Sequence, residues 1–197
     1  RAEVECFLHR HVADFALVVR TPFGIHPTLD LGKLRRGHRL EVREIEASAR
    51  VYEQENSLNI YSFFFQEEDH GATTRAVAFT LKDNRIVTLH DHPIPLFRLL
   101  RRRARREQDL IQDPMSVLLA LFELKIEHLA DQLEGTHLAL ETISQTVLEK
   151  ESRNLQAAID SLTRQEDVNG KVRLCLMDTQ RALAYILRRG KGDEAAR

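Results

Sequence analysis

The stretch QDPMSVLLALFELKIEHLADQLEGTHLALETISQTVLEK, Gln112 to Lys150, decides how the rest of the chain is read. Asp113 is a good N-cap, and Pro114 stands at the first helical position, where a missing N–H costs nothing. Apolar residues then fall at Phe122, Ile126, Leu129, Leu133, Leu140, Ile143 and Val147, with Thr136 in one seat. That is a heptad pattern, and a straight helix carrying it wants a helical partner along its length. The next segment supplies one. Leu155, Ile159 and Leu162 share a face that Val172, Leu176, Leu183 and Ile186/Leu187 extend. Gly170 interrupts it, at about 1 kcal/mol relative to Ala. The break at EKESRN, 149–154, lets the two helices fold back antiparallel. After Arg189 the apolar face stops, and Gly190 and Gly192 follow.

Upstream the pattern changes. LFRLLRRRARRE, from Leu96, is a basic amphipathic helix. Before it, DFALVV, 14–19, and SLNIYSFFF, 57–65, are β-rich runs. In AVAFTLKDNRIVTLHD, 76–91, two apolar runs flank KDN and predict a β-hairpin. VREIEASARVYEQ, 42–54, suits a short helix or a helix-to-strand passage. The first forty residues are the least readable. The expected fold is α+β, a head over 1–107 followed by a long antiparallel helical hairpin over 108–197.

Lys plus Arg total 29 and Asp plus Glu 30, so no global charge draws nucleic acid. Two cysteines, Cys6 and Cys175, make no disulfide framework and read as reduced thiols. No apolar run approaches the roughly 18 residues of a membrane span. The chain opens on Arg rather than Met, so it is expected to be part of a longer protein.

The motifs that could carry chemistry are few. His9 with His11 and His90 with His92 place imidazoles two apart, on one face of a strand and workable for zinc, but neither pair has a third ligand close by. A surface or structural role is the plainer reading. The run Arg98 to Arg106 could meet nucleic acid or anionic lipid. It lacks interleaved aromatics, and a solvated face paired with Glu107 and Asp109 is the plainer reading. Acids along the two long helices could gather hydrated divalent cations or form a wet face. No G-x-S-x-G, phosphate loop or H-E-x-x-H occurs, so an enzyme is not expected.

IEASARVYEQENSLNIYSFFF, VAFTLKDNRIVTL, LFELKIEHLADQLE and QEDVNGKVRLCLMDTQRALAYILRR, in order and at the expected spacing, resemble the CorA magnesium and cobalt transporters, most closely their γ-proteobacterial branch. The likeness covers roughly residues 42–189. It implies an α/β/α sandwich with a mixed sheet, then the helical hairpin, then a stalk helix entering the membrane. It implies a homopentameric channel of the cell inner membrane for Mg2+ that also passes Co2+ and often Ni2+, with this part on the cytoplasmic side. The pore with its Gly-Met-Asn signature and the spanning segments are not in this chain, and RALAYILRRGKG reads as the hairpin's end leading toward the stalk. The resemblance further implies that Mg2+ bound between protomers holds the channel closed. One ligand is an acid in a family stretch L-E-D-I. Here VREIEAS puts Glu44 in the acid's place and Arg43 where another acid stands, and a neighbouring guanidinium competes for the carboxylate. FGIHPTLD makes Asp30 a second candidate. With the partner acid on the stalk, these 197 residues alone are expected to bind Mg2+ weakly, as a monomer or a small oligomer. Two alternatives stay open: a free-standing soluble oligomer using the hairpin as an interaction module, and the cytoplasmic domain of a related zinc transporter.

Overall fold

The computed structural model describes residues 3–7, 15–20, 50–54, 56–68, 71–82, 85–90, 92–107, 110, 112–149 and 155–195. Asp30, Glu44, His9, His11 and Asp109 lie outside them, as do residues 42–49 of the short helix or helix-to-strand passage expected over 42–54; its described end, 51–54, is strand.

Six strands come first: β1 (Glu3–Phe7), β2 (Phe15–Arg20), β3 (Val51–Gln54), β4 (Ser57–Glu68), β5 (Gly71–Lys82) and β6 (Arg85–His90). Three helices follow: α1 (Pro95–Arg106), α2 (Pro114–Glu149) and α3 (Leu155–Ala195). The strands form one sheet in the order β1-β2-β6-β5-β4-β3. The five pairings are antiparallel, so a parallel pair, which a mixed sheet would contain, is not among the described residues. The α+β class stands. The KDN hairpin is β5–β6, closing at Lys82 opposite Arg85.

β4 and β5 form the longest ladder, from Leu58 opposite Leu81 to Glu68 opposite Gly71. Gly71, at φ 126°, takes a backbone conformation that side chains oppose. Side chains alternate along β4, so Leu58, Ile60, Ser62 and Phe64 share one face. Opposite them, Phe79 and Val77 of β5 add to it. This face carries the core. Phe64, Phe79, Phe97 of α1 and Phe122 of α2 meet in it, with Phe79 edge-on to Phe122 at 5.9 Å between centroids. Leu118 and Leu121 of α2 and Ala182 of α3 complete it.

The N-cap of α2 is as its sequence predicts. The Ser116 N–H donates to Asp113 Oδ1 at 2.7 Å, and the Asp113 N–H donates back to Ser116 Oγ at 3.0 Å. The helices run antiparallel: Leu129 packs with Val172, while Lys125, a turn earlier, meets Asp178, further along α3. α3 runs unbroken through Gly170, Gly190 and Gly192 to Ala195, further than the apolar face implies. Beyond Leu129, α2 continues for another 20 residues, about 30 Å at helical rise.

The heptad reading of the inner face needs correction. Leu129 and Thr136 are buried, but Ile126, Leu133, Leu140 and Val147 are exposed, as are Leu155, Ile159 and Leu162 on α3. The buried stripe of α2 is instead Val117, Leu118, Leu121, Phe122, Lys125 and Leu129. The reason is that α2 packs on the sheet and α1 as well as on α3, so its buried stripe turns from the two-helix seam toward the head.

Candidate functional site

Three charged side chains meet where the sheet touches both arms of the hairpin. Ser62, on the core face of β4, is buried between Ile60 and Phe64. Lys125 of α2 is 1% exposed, and Asp178 of α3 is 3% exposed. Lys125 Nζ donates to Ser62 Oγ at 2.8 Å, and Ser62 Oγ donates to Asp178 Oδ2 at 2.7 Å. Nζ also stands 3.9 Å from Oδ2. A fourth segment enters just before β3, where Arg50 Nη1 donates to Asp178 Oδ1 at 2.8 Å.

Asp178 also completes the sheet. β3 covers β4 only from Ser57 to Ile60. The Tyr61 N–H still reaches the Arg50 carbonyl, at 2.8 Å. The Phe63 N–H has passed the end of β3, and it donates to Asp178 Oδ2 at 2.9 Å. A helix side chain thus satisfies a strand-edge donor that burial would otherwise leave costly. Nearby, Lys171 Nζ donates to the Ala72 carbonyl at 2.6 Å, pinning α3 to the β4–β5 turn.

The electrostatics are lopsided. Two cations, Arg50 and Lys125, surround one carboxylate. Aromatic faces take up part of the excess: Lys125 Nζ lies 4.8 Å from the Phe64 centroid and 5.6 Å from that of Phe122, and Arg50 lies 4.3 Å over Phe63. Burial lowers the Lys125 pKa to about 8, against the pull of Asp178. Cys175, one turn before Asp178 on α3, is pushed up to about 11, again chiefly by burial. The arrangement brings the start of β3, β4, α2 and α3 to one point and carries a proton on Lys125 that leaves at about pH 8 rather than 10.5. It is a coupling point between sheet and hairpin, closed to solvent.

The sequence-predicted residues fare differently. Of the His90 and His92 pair, His90 is engaged within the fold: its Nδ1 donates to the His92 carbonyl at 2.6 Å, and its ring stacks on Phe97 at 5.0 Å. Among the described residues no group of three or more His, Cys, Asp and Glu side chains is placed to hold a metal ion. Glu44 and Asp30 lie outside the described residues. Arg103 pairs with Glu107 at 3.4 Å, as expected of the arginine run, and also reaches Glu123 at 3.4 Å and Glu127 at 3.9 Å on α2. Sequence reasoning passed over Lys125 and Asp178. The available signal was a lysine within the apolar stripe, three residues after Phe122 and four before Leu129.

A family model described as CorA-like Mg2+ transporter protein matches residues 18–196. The magnesium transport protein CorA of Haemophilus influenzae (strain ATCC 51907 / DSM 11121 / KW20 / Rd) is 47% identical over 152 residues, 76% of this chain and 48% of that protein. Those of Pectobacterium atrosepticum and Yersinia pestis are 46% and 45% identical over 155 residues, 78% of this chain and 49% of each relative. The chain spans about half the length of the curated relatives it matches. No described helix is long and apolar enough to cross a membrane.

Proposed function

Since the chain belongs to the CorA-like Mg2+ transporter family, we propose that it is the regulatory part of a divalent-cation channel, lying on the cytoplasmic side of the inner membrane. The channel admits Mg2+ and also Co2+ and Ni2+, and assembles as a homopentamer. This part does no bond chemistry. It reads the internal Mg2+ concentration through a head over 1–107, with Glu44 and Asp30 as the proposed regulatory ligands, and passes the state on through the hairpin over 108–197. The observation that carries the coupling is the Lys125–Ser62–Asp178 network, which ties both hairpin helices to β4. A rigid tie of this kind lets a difference in ion affinity at the head bias the position of the helices.

The test is ion uptake by the longer protein that carries this chain, in cells lacking their own magnesium uptake. Uptake of Mg2+ and Co2+ that falls as internal Mg2+ rises supports the reading. Uptake insensitive to internal Mg2+ removes the sensor role, and selective zinc transport replaces the ion. Glu44→Gln and Asp30→Asn are expected to shift the inhibitory Mg2+ concentration upward; an unshifted response assigns the ligands elsewhere.

A further inference from the structure

The solvent face of α1 is dominated by arginine, with Leu99, 39% exposed, at its margin. Arg98, Arg102, Arg105 and Arg106 fall at i, i+4, i+7 and i+8, all exposed, directly opposite the buried Leu96, Phe97 and Leu100. None of the four has a carboxylate partner among the described residues, and the helix holds no acid. Like charges four apart oppose each other on a helix. The helix dipole accounts for Arg105 and Arg106 in the last turn but opposes Arg98 in the first. Folding alone gives no reason for this face.

α2 carries its counterpart. Glu127, Asp131 and Glu134 stand at i, i+4 and i+7, all exposed, and the helix's one lysine is the buried Lys125. Arg98, Arg102 and Arg105 have the identical spacing with opposite sign. Within one chain the two sets meet only at their margin, where Arg103 reaches Glu123 and Glu127. That contact leaves the outer arginines, Asp131 and Glu134 without ionic partners among the described residues.

We propose that the arginine face of α1 docks on the acidic face of α2 in a second copy of this chain. Guanidinium forks suit carboxylates in rows, and two straight helices of matched charge spacing can align over about two turns, roughly 10 Å. Donor and acceptor faces belong to different helices, so the contact need not be reciprocal and can repeat around a ring. The proposal names a surface for the assembly put forward above and rests on that reading only for the number of copies. A polyanion such as RNA is less suited, because the neighbouring acids of α2 would repel it and no exposed aromatic lies in the face.

The experiment is paramagnetic relaxation between two copies of the full 197-residue chain. A Leu99→Cys chain in a Cys6→Ser background, spin-labelled at position 99, is mixed with isotope-labelled wild-type chain. The expected result is broadening of amides over 127–141 of the other copy, lost at high salt. It is lost also when the spin-labelled chain carries R98E/R102E/R105E. It returns when that variant meets a chain carrying E127R/D131R/E134R, which separates docking from misfolding. No broadening over 127–141, or broadening that survives the charge reversal, overturns the proposal. Charge-dependent sedimentation with phosphatidylserine vesicles or single-stranded RNA, without that broadening, overturns it in favour of those partners. None of these outcomes depends on whether the longer protein transports Mg2+.

Discussion

Phe63 and Asp178, 115 residues apart, are joined by a hydrogen bond in which a backbone N–H of β4 donates to a helix carboxylate at 2.9 Å. The same carboxylate accepts from Ser62 and Arg50. One side chain of α3 therefore serves as strand partner, hydroxyl acceptor and counter-ion at once, and its loss strands several donors together.

Asp178→Ala should be among the most damaging single changes in the chain. It leaves Lys125 buried beside Arg50 with no anion, a situation that costs about 3–5 kcal/mol. Urea unfolding followed by circular dichroism measures it. Asp178→Asn keeps the acceptor for Phe63 and Ser62 and should cost less. Equal losses for the two variants would mean that shape, not charge, holds the seam.

Lys125→Met should raise stability at pH 7. The thioether chain occupies a similar length beside Phe64 and Phe122, while Asp178 keeps Arg50, Ser62 and Phe63 as donors. Removing one member of a buried pair usually costs stability because it leaves a charge uncompensated, but here Asp178 still has Arg50, and the burial that disfavours the Lys125 ammonium no longer has to be overcome. A lower urea midpoint for Lys125→Met would show that the ammonium is a net stabiliser.

The pH dependence has a definite sign. The folded pKa of Lys125, about 8, lies below its ordinary 10.5. Between these values the unfolded chain binds more protons, so stability rises with pH, by about 3 kcal/mol across the window. Cys175 acts oppositely. Its thiol stays protonated in the fold up to about 11 against an ordinary 9.0, so its contribution is lost as pH rises through that interval. Wild type should gain stability from about pH 8 to 9 and level off above it. Lys125→Met should remove the gain, and Cys175→Ala should extend it toward pH 10.5. Superimposable pH profiles for wild type and Lys125→Met would refute the assignment.

The two kinds of leucine on α2 should separate by truncation. Leu129 is 0% exposed, whereas Leu140 is 37% exposed. Leu129→Ala should cost about 2–5 kcal/mol, and Leu140→Ala under about 1. Comparable costs would mean that the outer hairpin seam is packed as tightly as the head.

Much of the fold was legible because it rests on local chemistry. The Asp113–Pro114 start of α2, the KDN turn between β5 and β6, and the apolar side of α1 each follow from a few neighbouring residues whose backbone preferences agree. Asn56 at φ 63° and Gly71 at φ 126° fall where turns need left-handed backbone, and both residue types tolerate it. The heptad, in contrast, counts apolar positions without knowing what covers them. It sent Ile126 and Leu140 inward, although α2 rotates its stripe to meet the sheet.

The sequence by itself determined the three helices, the strands from β4 to β6 and the family, since periodicity, caps and turn residues act within a dozen positions and motifs survive as written; β1, in the least readable first forty residues, it did not. Tertiary structure alone decided the coupling site. Lys125, Ser62, Arg50 and Asp178 lie between 12 and 128 residues apart, and apart from Lys125, which falls within an apolar stripe, each looks like an ordinary surface polar residue in its own window. Only when α3 lies along the free edge of β4 does a single carboxylate meet two cations, a hydroxyl and an unpaired strand N–H. Burial then turns ordinary charges into strong, directional ones, because low dielectric leaves no water to answer them.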